Sequence, residues 1–168
     1  MGIVTKRVSQ GYLCREVVVI FVAIGTTDFD ALIQAMDNLS LSLSEKVVMQ
    51  IGGSKYVPEH CKYFRFVPSL VPYYERASLV VSHGGLGIVT EVLKYGRPLV
   101  AVEDPDQPDR HQREILNVWE QEGHLIWCRD LEKLPWAMEQ ARSQRCRPYV
   151  APECRIHTVI AEFLDRVE

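Results

Sequence analysis

Residues 17 to 24 read VVVIFVAI, followed by Gly25-Thr26-Thr27-Asp28-Phe29 and, from residue 31, by ALIQAMDNL. The eight-residue apolar run has no polar alternation and is rich in β-branched side chains, the pattern of a strand buried on both faces of a parallel sheet. It stops at Gly25. Phe29, Leu32, Ile33, Met36 and Leu39 then recur at three- and four-residue intervals, which predicts an amphipathic helix. Strand, turn and helix in this order open a βαβ unit.

Downstream the same alternation recurs. Lys46 to Ile51 reads as a strand stopped by Gly52 and Gly53, which read as a turn only, and Tyr63 to Val67 as a short strand stopped by Pro68. Val71 to Arg76 allows one or two helical turns. Ser78 to Ser82 is a further strand, followed by His83-Gly84-Gly85-Leu86-Gly87 and a helix through Lys94 that Gly96 terminates. Pro98 to Val102 is the next strand. A polar loop, Glu103 to Asp109, precedes a helix to about Gln121, and Leu125 to Cys128 gives a last strand. Strands separated by helices of this length form parallel units with right-handed crossovers, so the expected fold class is α/β, a Rossmann-like parallel sheet with flanking helices.

From Pro152 onward, Ile156, Val159, Ile160, Phe163, Leu164 and Val167 line one helical face. Most amphipathic helices face their own core, so a helix folded back on the sheet is preferred to one that binds a partner. Residues 1–16 show no clear period and read as an N-terminal extension, with 17–168 as one domain.

The 168 residues carry 19 Lys plus Arg against 22 Asp plus Glu, and 47% are hydrophobic, the composition of an ordinary globular chain. A pI near 6.0 supplies no broad positive field, which argues against nucleic acid as a partner. Crossing a bilayer takes roughly 20 apolar residues, and Val8 to Arg15 is too polar for a signal peptide's apolar segment. Cys14, Cys61, Cys128, Cys146 and Cys154 are scattered without a C-x-x-C pair, as for reduced thiols in a cytoplasm. Neither zinc nor another metal is expected: Asp104, Asp106 and Asp109 lack the spacing of a calcium loop, and Asp109 reads as a helix cap.

In an open parallel sheet, ligands bind where loops and helix N-termini converge at the carboxyl ends of the strands. Gly25-Thr26-Thr27 and His83-Gly84-Gly85-Leu86-Gly87 both fall there. Glycines admit close backbone approach, and free N–H groups at a helix start favour phosphate, so two such loops suit one diphosphate. A glycine pair taken alone is more often a tight turn. Neither loop matches the P-loop or the dinucleotide fingerprint, which removes support for ATP hydrolysis and NAD chemistry. Glu91, two turns into the helix after Gly84, suits the vicinal hydroxyls of a ribose; without further context the reading as a solvated helix glutamate prevails.

IFVAIGTTDFDALI (residues 20–33), YFRFVPSLVPYYERASLVVSHGGLG (63–87), EVLKYGRPLVAV (91–102) and DRHQREI (109–115) before EGHLI (122–126) together resemble the donor-binding half of family 28 glycosyltransferases of GT-B fold. More narrowly, the chain resembles the stand-alone cytosolic subunit of two-part UDP-GlcNAc transferases and of bacterial exopolysaccharide transferases. The resemblance runs from Val17 to about Leu131 and continues weakly to the C-terminus.

What the resemblance implies is a domain that binds a UDP-sugar while a membrane-anchored partner subunit supplies the acceptor-binding half and a lipid-linked acceptor. The protein is then cytoplasmic and peripheral at the membrane through that partner. Gly25, Thr26 and Thr27 match the first diphosphate loop, Phe66 and Val67 the strand end that reads uracil, and His83, Gly84, Gly85 and Gly87 the second loop. Glu91 matches the ribose-binding glutamate, and His111 with Gln112 the segment that reaches the sugar hydroxyls. Ile88 stands where the family often has Ser or Thr, which removes a side-chain hydroxyl and leaves the backbone N–H groups.

Such enzymes invert at the anomeric carbon without a cofactor or divalent ion, because helix N-termini stabilise the departing diphosphate. The general base is expected in the partner; of the histidines in this chain, His83 is the better catalytic candidate. Two rivals are a UDP-sugar 2-epimerase, which needs both half-domains in one chain, and a non-catalytic nucleotide-sugar-binding or stabilising subunit.

Overall fold

The apolar run becomes strand β1 (Val19–Ala23), which lies inside a sheet whose other strands are β2 (Lys46–Gln50), β3 (Lys62–Phe64), β4 (Ala77–His83), β5 (Leu99–Val102) and β6 (Ile126–Cys128). The structure, a computed structural model, describes residues 19–105, 111–144, 146–151 and 153–166. The expected extension, residues 1–16, lies outside the described residues, as do Val17, Val18 and Asp109. Every pairing is parallel, and the spatial order is β3-β2-β1-β4-β5-β6. This is the doubly wound order, in which the chain runs one way from β1 to β3 and returns to the other side of β1 with β4.

The absence of alternation in β1 follows from its position. Ile20, Val22 and Ile24 face one core with Leu32, Ile33 and Met36 of α1 (Asp30–Ser40) and with Ala137, Met138 and Ala141 of α5 (Leu134–Ser143). Phe21 and Ala23 face the other core. That second core holds Tyr74 of α2 (Val71–Tyr74), Val89, Val92 and Leu93 of α3 (Leu86–Lys94), and Leu116 and Trp119 of α4 (His111–Gln121). Helices therefore cover both faces.

Between β2 and β3 the chain makes its crossover without a helix, and carboxylates of α1 hold it in place. Asp30 Oδ1 accepts the N–H groups of Lys55 at 2.8 Å and Tyr56 at 3.1 Å. Asp37, fully buried, accepts the N–H groups of Glu59 at 2.8 Å, His60 at 3.0 Å and Cys61 at 3.1 Å, and the Tyr56 hydroxyl at 3.0 Å. A buried carboxylate is tolerated only when so satisfied.

Three expectations are corrected. Strand β3 ends at Phe64 instead of Val67, because Arg65 turns its guanidinium back to the carbonyls of Gly52 at 2.9 Å and Ser54 at 2.8 Å. Helix α5, preceded by a short turn of 3₁₀ helix at 131–133, was not anticipated; its buried face is built from Leu134, Ala137, Met138 and Ala141, two of them too small to mark a hydrophobic stripe. The C-terminal helix α6 (Ile156–Leu164) forms where the spacing places it, but it does not fold back on the sheet. None of its residues is buried, and Ile156, Val159, Ile160, Phe163 and Leu164 are 51% to 66% exposed. The chain before it is anchored at the end of α4: Arg147 N–H donates to Gly123 at 2.9 Å, and Tyr149 packs edge-on against Trp119 and His124. After that anchor the helix leaves the domain.

Burial pushes the Asp37 carboxyl up, and its hydrogen bonds from Glu59, His60 and Tyr56 outweigh this and hold it below its ordinary value of 3.8. The stabilisation it gives is therefore complete above that value and is lost as pH falls through the lower folded one. Replacing Asp37 with Ala strands three backbone donors, and urea unfolding should show a loss of about 3 kcal/mol. A loss below about 1 kcal/mol would mean that water replaces the carboxylate.

Candidate functional site

Because β1 and β4 are neighbours whose following helices cover opposite faces of the sheet, the loops after them diverge and leave a crevice at the carboxyl edge. Gly25 follows β1 with φ +69°, and a Cβ there would lie 3.4 Å from His83 Cε1 and 3.5 Å from Ile88 Cγ1. A Cβ on Gly85 would lie 2.2 Å from His83 Nε2. The His83 imidazole thus lies between the two glycine loops: it fills the space a Gly85 side chain would need, while at Gly25, where a Cβ would meet it in ordinary contact, the positive φ is what favours glycine. Gly84 serves a different contact. Its Cβ would meet Leu116 Cδ1 at 2.7 Å and Gln112 Oε1 at 2.9 Å, so the lack of a side chain lets α4 come close.

Among the described residues the opening of α3 is uncovered: Gly85 is its N-cap, no side chain of these residues caps its first N–H groups, and a Cβ on Gly87 would meet nothing within 4 Å. Backbone donors at the first turn of a nine-residue helix, with its dipole behind them, therefore face the crevice. Thr26 is exposed and Thr27 half-buried on the opposing loop.

The sequence-derived residues are brought together unequally. Gly25, His83, Gly85 and Ile88 are in direct proximity, and Gln112 reaches the Gly84 backbone while its Oε1 accepts the Asp104 N–H at 3.3 Å. Glu91 is exposed on α3, and its Oε2 accepts the hydroxyl of the buried Tyr74 at 3.1 Å, which fixes one carboxylate oxygen and leaves the other open. Phe66, 59% exposed, and Val67 follow the end of β3 instead of lying in it. The His111 side chain lies outside the described residues.

Burial lowers the His83 pKa from its ordinary value of 6.5, against the opposing pull of the Ala23 carbonyl and the Asp104 carboxylate. The Ala23 carbonyl faces the ring without the alignment of a full hydrogen bond, and Nδ1 has no other partner among the described residues. The imidazole is therefore neutral at pH 7 and able to accept or donate a proton without carrying fixed charge.

Sequence reading missed two positions. Tyr74, whose hydroxyl orients Glu91, falls in the stretch Val71 to Arg76, where the sequence allows only a helical turn or two. Gln50, at the end of β2, is buried and binds both backbone groups of Gly25. The only available signal was a polar residue inside an otherwise apolar strand. Gly52 also does more than turn the chain: at φ +46° it lies so close under the first loop that a Cβ would sit 2.5 Å from Thr27 O and 2.6 Å from Gly25 O.

Residues 19–166 match the Glycosyltransferase family 28 C-terminal domain. The chain belongs to this family. It is 36% identical over 122 residues to the human UDP-N-acetylglucosamine transferase subunit ALG13, a match covering 65% of this chain and 11% of that protein, so it spans about a tenth of that relative's length. Among solved structures, Acinetobacter baumannii MurG superposes with a TM-score of 0.63 at 19% identity, over 89% of this chain and 50% of MurG. A solution structure of ALG13 superposes with a TM-score of 0.58 at 14% identity, over 86% of this chain and 94% of that one. At these identities the structural likeness establishes the fold alone: this family 28 domain has the form of one half of a GT-B enzyme.

A histidine whose pKa is lowered on folding costs stability as pH falls below its unfolded value near 6.5, since the unfolded chain binds the proton more readily. The His83 imidazole should titrate below 6.5 by NMR, and His83→Gln should remove part of the stability loss between neutral pH and that midpoint. A midpoint at or above 6.5 would contradict the burial of the ring.

Proposed function

We propose that this family 28 domain is the donor-binding part of an inverting UDP-sugar glycosyltransferase, with UDP-GlcNAc the leading donor, and that it acts with a separate membrane-anchored subunit that binds a lipid-linked acceptor. The observation that carries the reading is the meeting of the two glycine loops around His83 at the β1/β4 switch point, with the open first turn of α3 beside them. Backbone donors converging on one crevice suit a diphosphate.

The roles follow from position. The diphosphate lies between Thr26-Thr27 and the start of α3, whose N–H groups and dipole stabilise the negative charge that develops as UDP leaves, a dipole contribution of up to about 2 kcal/mol in a partly buried site. The free oxygen of Glu91 accepts from the ribose hydroxyls while Tyr74 fixes its rotamer. Phe66 and Val67 are assigned to the uracil, and His111 with Gln112 to the sugar hydroxyls. His83, neutral and wedged between the loops, is placed on the diphosphate side of the donor and is the better candidate in this chain for moving a proton; the base that activates the acceptor hydroxyl is assigned to the partner. No metal or cofactor is assigned to this chemistry.

The case for a partner rests on α6. An isolated nine-residue helix is marginal in water, and this one presents Ile156, Val159, Ile160, Phe163 and Leu164 to solvent. The domain superposes on half of the MurG chain, so the subunit that supplies the other half is the occupant to which this face is assigned. No helix among the described residues is long and apolar enough to cross a membrane. Membrane attachment is assigned to the partner, with this chain at its cytoplasmic face.

Glu91→Ala should weaken UDP binding by about 1.5 to 3 kcal/mol in calorimetry while the fold is retained; unchanged affinity removes the ribose assignment. Transfer to a lipid-linked acceptor should appear only when the acceptor-binding subunit is co-expressed. Truncation after Ala151 should abolish that transfer and leave UDP affinity unchanged. Transfer by the purified chain alone, or by the truncated chain with its partner, would overturn the two-subunit reading.

A further inference from the structure

Gln50 stands at the carboxyl end of β2, 4% exposed, in a strand whose neighbouring residues are apolar. Its side-chain amide pairs with both backbone groups of one residue in the loop after β1: Oε1 accepts the Gly25 N–H at 3.0 Å, and Nε2 donates to the Gly25 carbonyl at 2.8 Å. Two consequences follow. The Gly25 N–H is consumed within the protein and is no donor to a ligand. The Gly25 carbonyl, and with it the whole Gly25–Thr26 peptide plane, is turned toward β2.

In a trans peptide the C=O and the next N–H point in opposite directions. A Gly25 carbonyl aimed at β2 therefore aims the Thr26 N–H away from β2, and the strand on the other side of β1 is β4. The crevice between the loops lies there. The second turn repeats the arrangement, since Gly53 N–H donates to Thr27 O at 2.8 Å from the same side and so turns the Asp28 N–H in the same sense. Two N–H groups of one loop, those of Thr26 and Asp28, are thus turned to one side, a pair of donors suited to an anion.

We infer that Gln50 is a positioning residue that aims the Thr26 amide at the diphosphate of the donor. The inference rests on the donor-site reading above and adds to it the side chain that sets the polarity of the first loop. An amide is required: it alone among uncharged side chains of this length offers one donor and one acceptor to a single glycine. A carboxylate in its place would accept the N–H but face the Gly25 carbonyl with a second acceptor, and would regain the pairing only when protonated.

The test measures UDP and uridine affinity by calorimetry and NMR titration in wild type, Gln50→Leu and Gln50→Glu, with thermal unfolding of the free chains alongside. Gln50→Leu should lose about 10- to 100-fold in UDP affinity, the scale seen when the group that orients a ligating group is removed, and should keep its uridine affinity. Equal losses for UDP and uridine, or none for UDP, would overturn the inference. Gln50→Glu guards against a Leu variant that does not fold. Its UDP affinity relative to wild type should recover as pH is lowered and the buried carboxyl protonates, with uridine affinity tracking wild type. A ratio to wild type that is flat with pH would overturn the inference. Wild type that gains no affinity from the diphosphate would overturn the donor-site reading itself. A full gain in wild type and Gln50→Leu alike overturns only the role given to Gln50.

Discussion

Close approach of two main chains at the head of the sheet is the constraint on which the site depends. Gly85 leaves the room that the His83 imidazole fills, Gly84 leaves the room that Gln112 and Leu116 fill, and Gly25 takes up the φ of +69° that brings the first loop beside the ring. Side chains at 84 and 85 would push the β4 loop and α4 apart, and a residue other than glycine at 25 would strain the turn that brings the β1 loop beside His83.

The rest of the domain serves to hold those walls still. On one side, the β2 turn supports the first loop from beneath through Gln50, Gly52 and Gly53. That turn is itself tied down by Arg65 and by the Ser54 hydroxyl, which accepts the Phe29 N–H at 3.0 Å. Asp30 and Asp37 then fix the crossover that follows, doing with carboxylates what a packed helix does elsewhere in this sheet. On the other side, α3 and α4 hold the second loop through an apolar core around Val89, Val92 and Leu116. A polar scaffold thus supports one wall and an apolar scaffold the other. The former depends on hydrogen-bond geometry and protonation, the latter on volume.

The exposed C-terminal helix has the same logic at a larger scale. A domain that resembles half of a two-domain fold leaves one face to be completed, and here the unsatisfied apolar surface is gathered on a short helix that projects from the anchor at Tyr149. No described residue buries it, so its amphipathic pattern carries no information about which surface it covers.

The amino-acid order alone determined the α/β class, the glycine loops after β1 and β4, and the family, because buried parallel strands are continuous apolar runs and because tight turns at their ends need glycine. It did not determine the direction in which α6 faces, since a stripe of apolar residues reads the same whether its partner is the same chain or another. Nor did it disclose α5, whose small buried residues give a faint periodicity, or the end of β3, which is set by an arginine reaching across to the β2 turn. The tertiary structure alone decided that Gln50 clamps Gly25, that Tyr74 steadies Glu91 and that His83 sits neutral between two loops. Each of these joins residues many positions apart, and only folding fixes the distances and the desolvation on which hydrogen bonding and proton affinity depend.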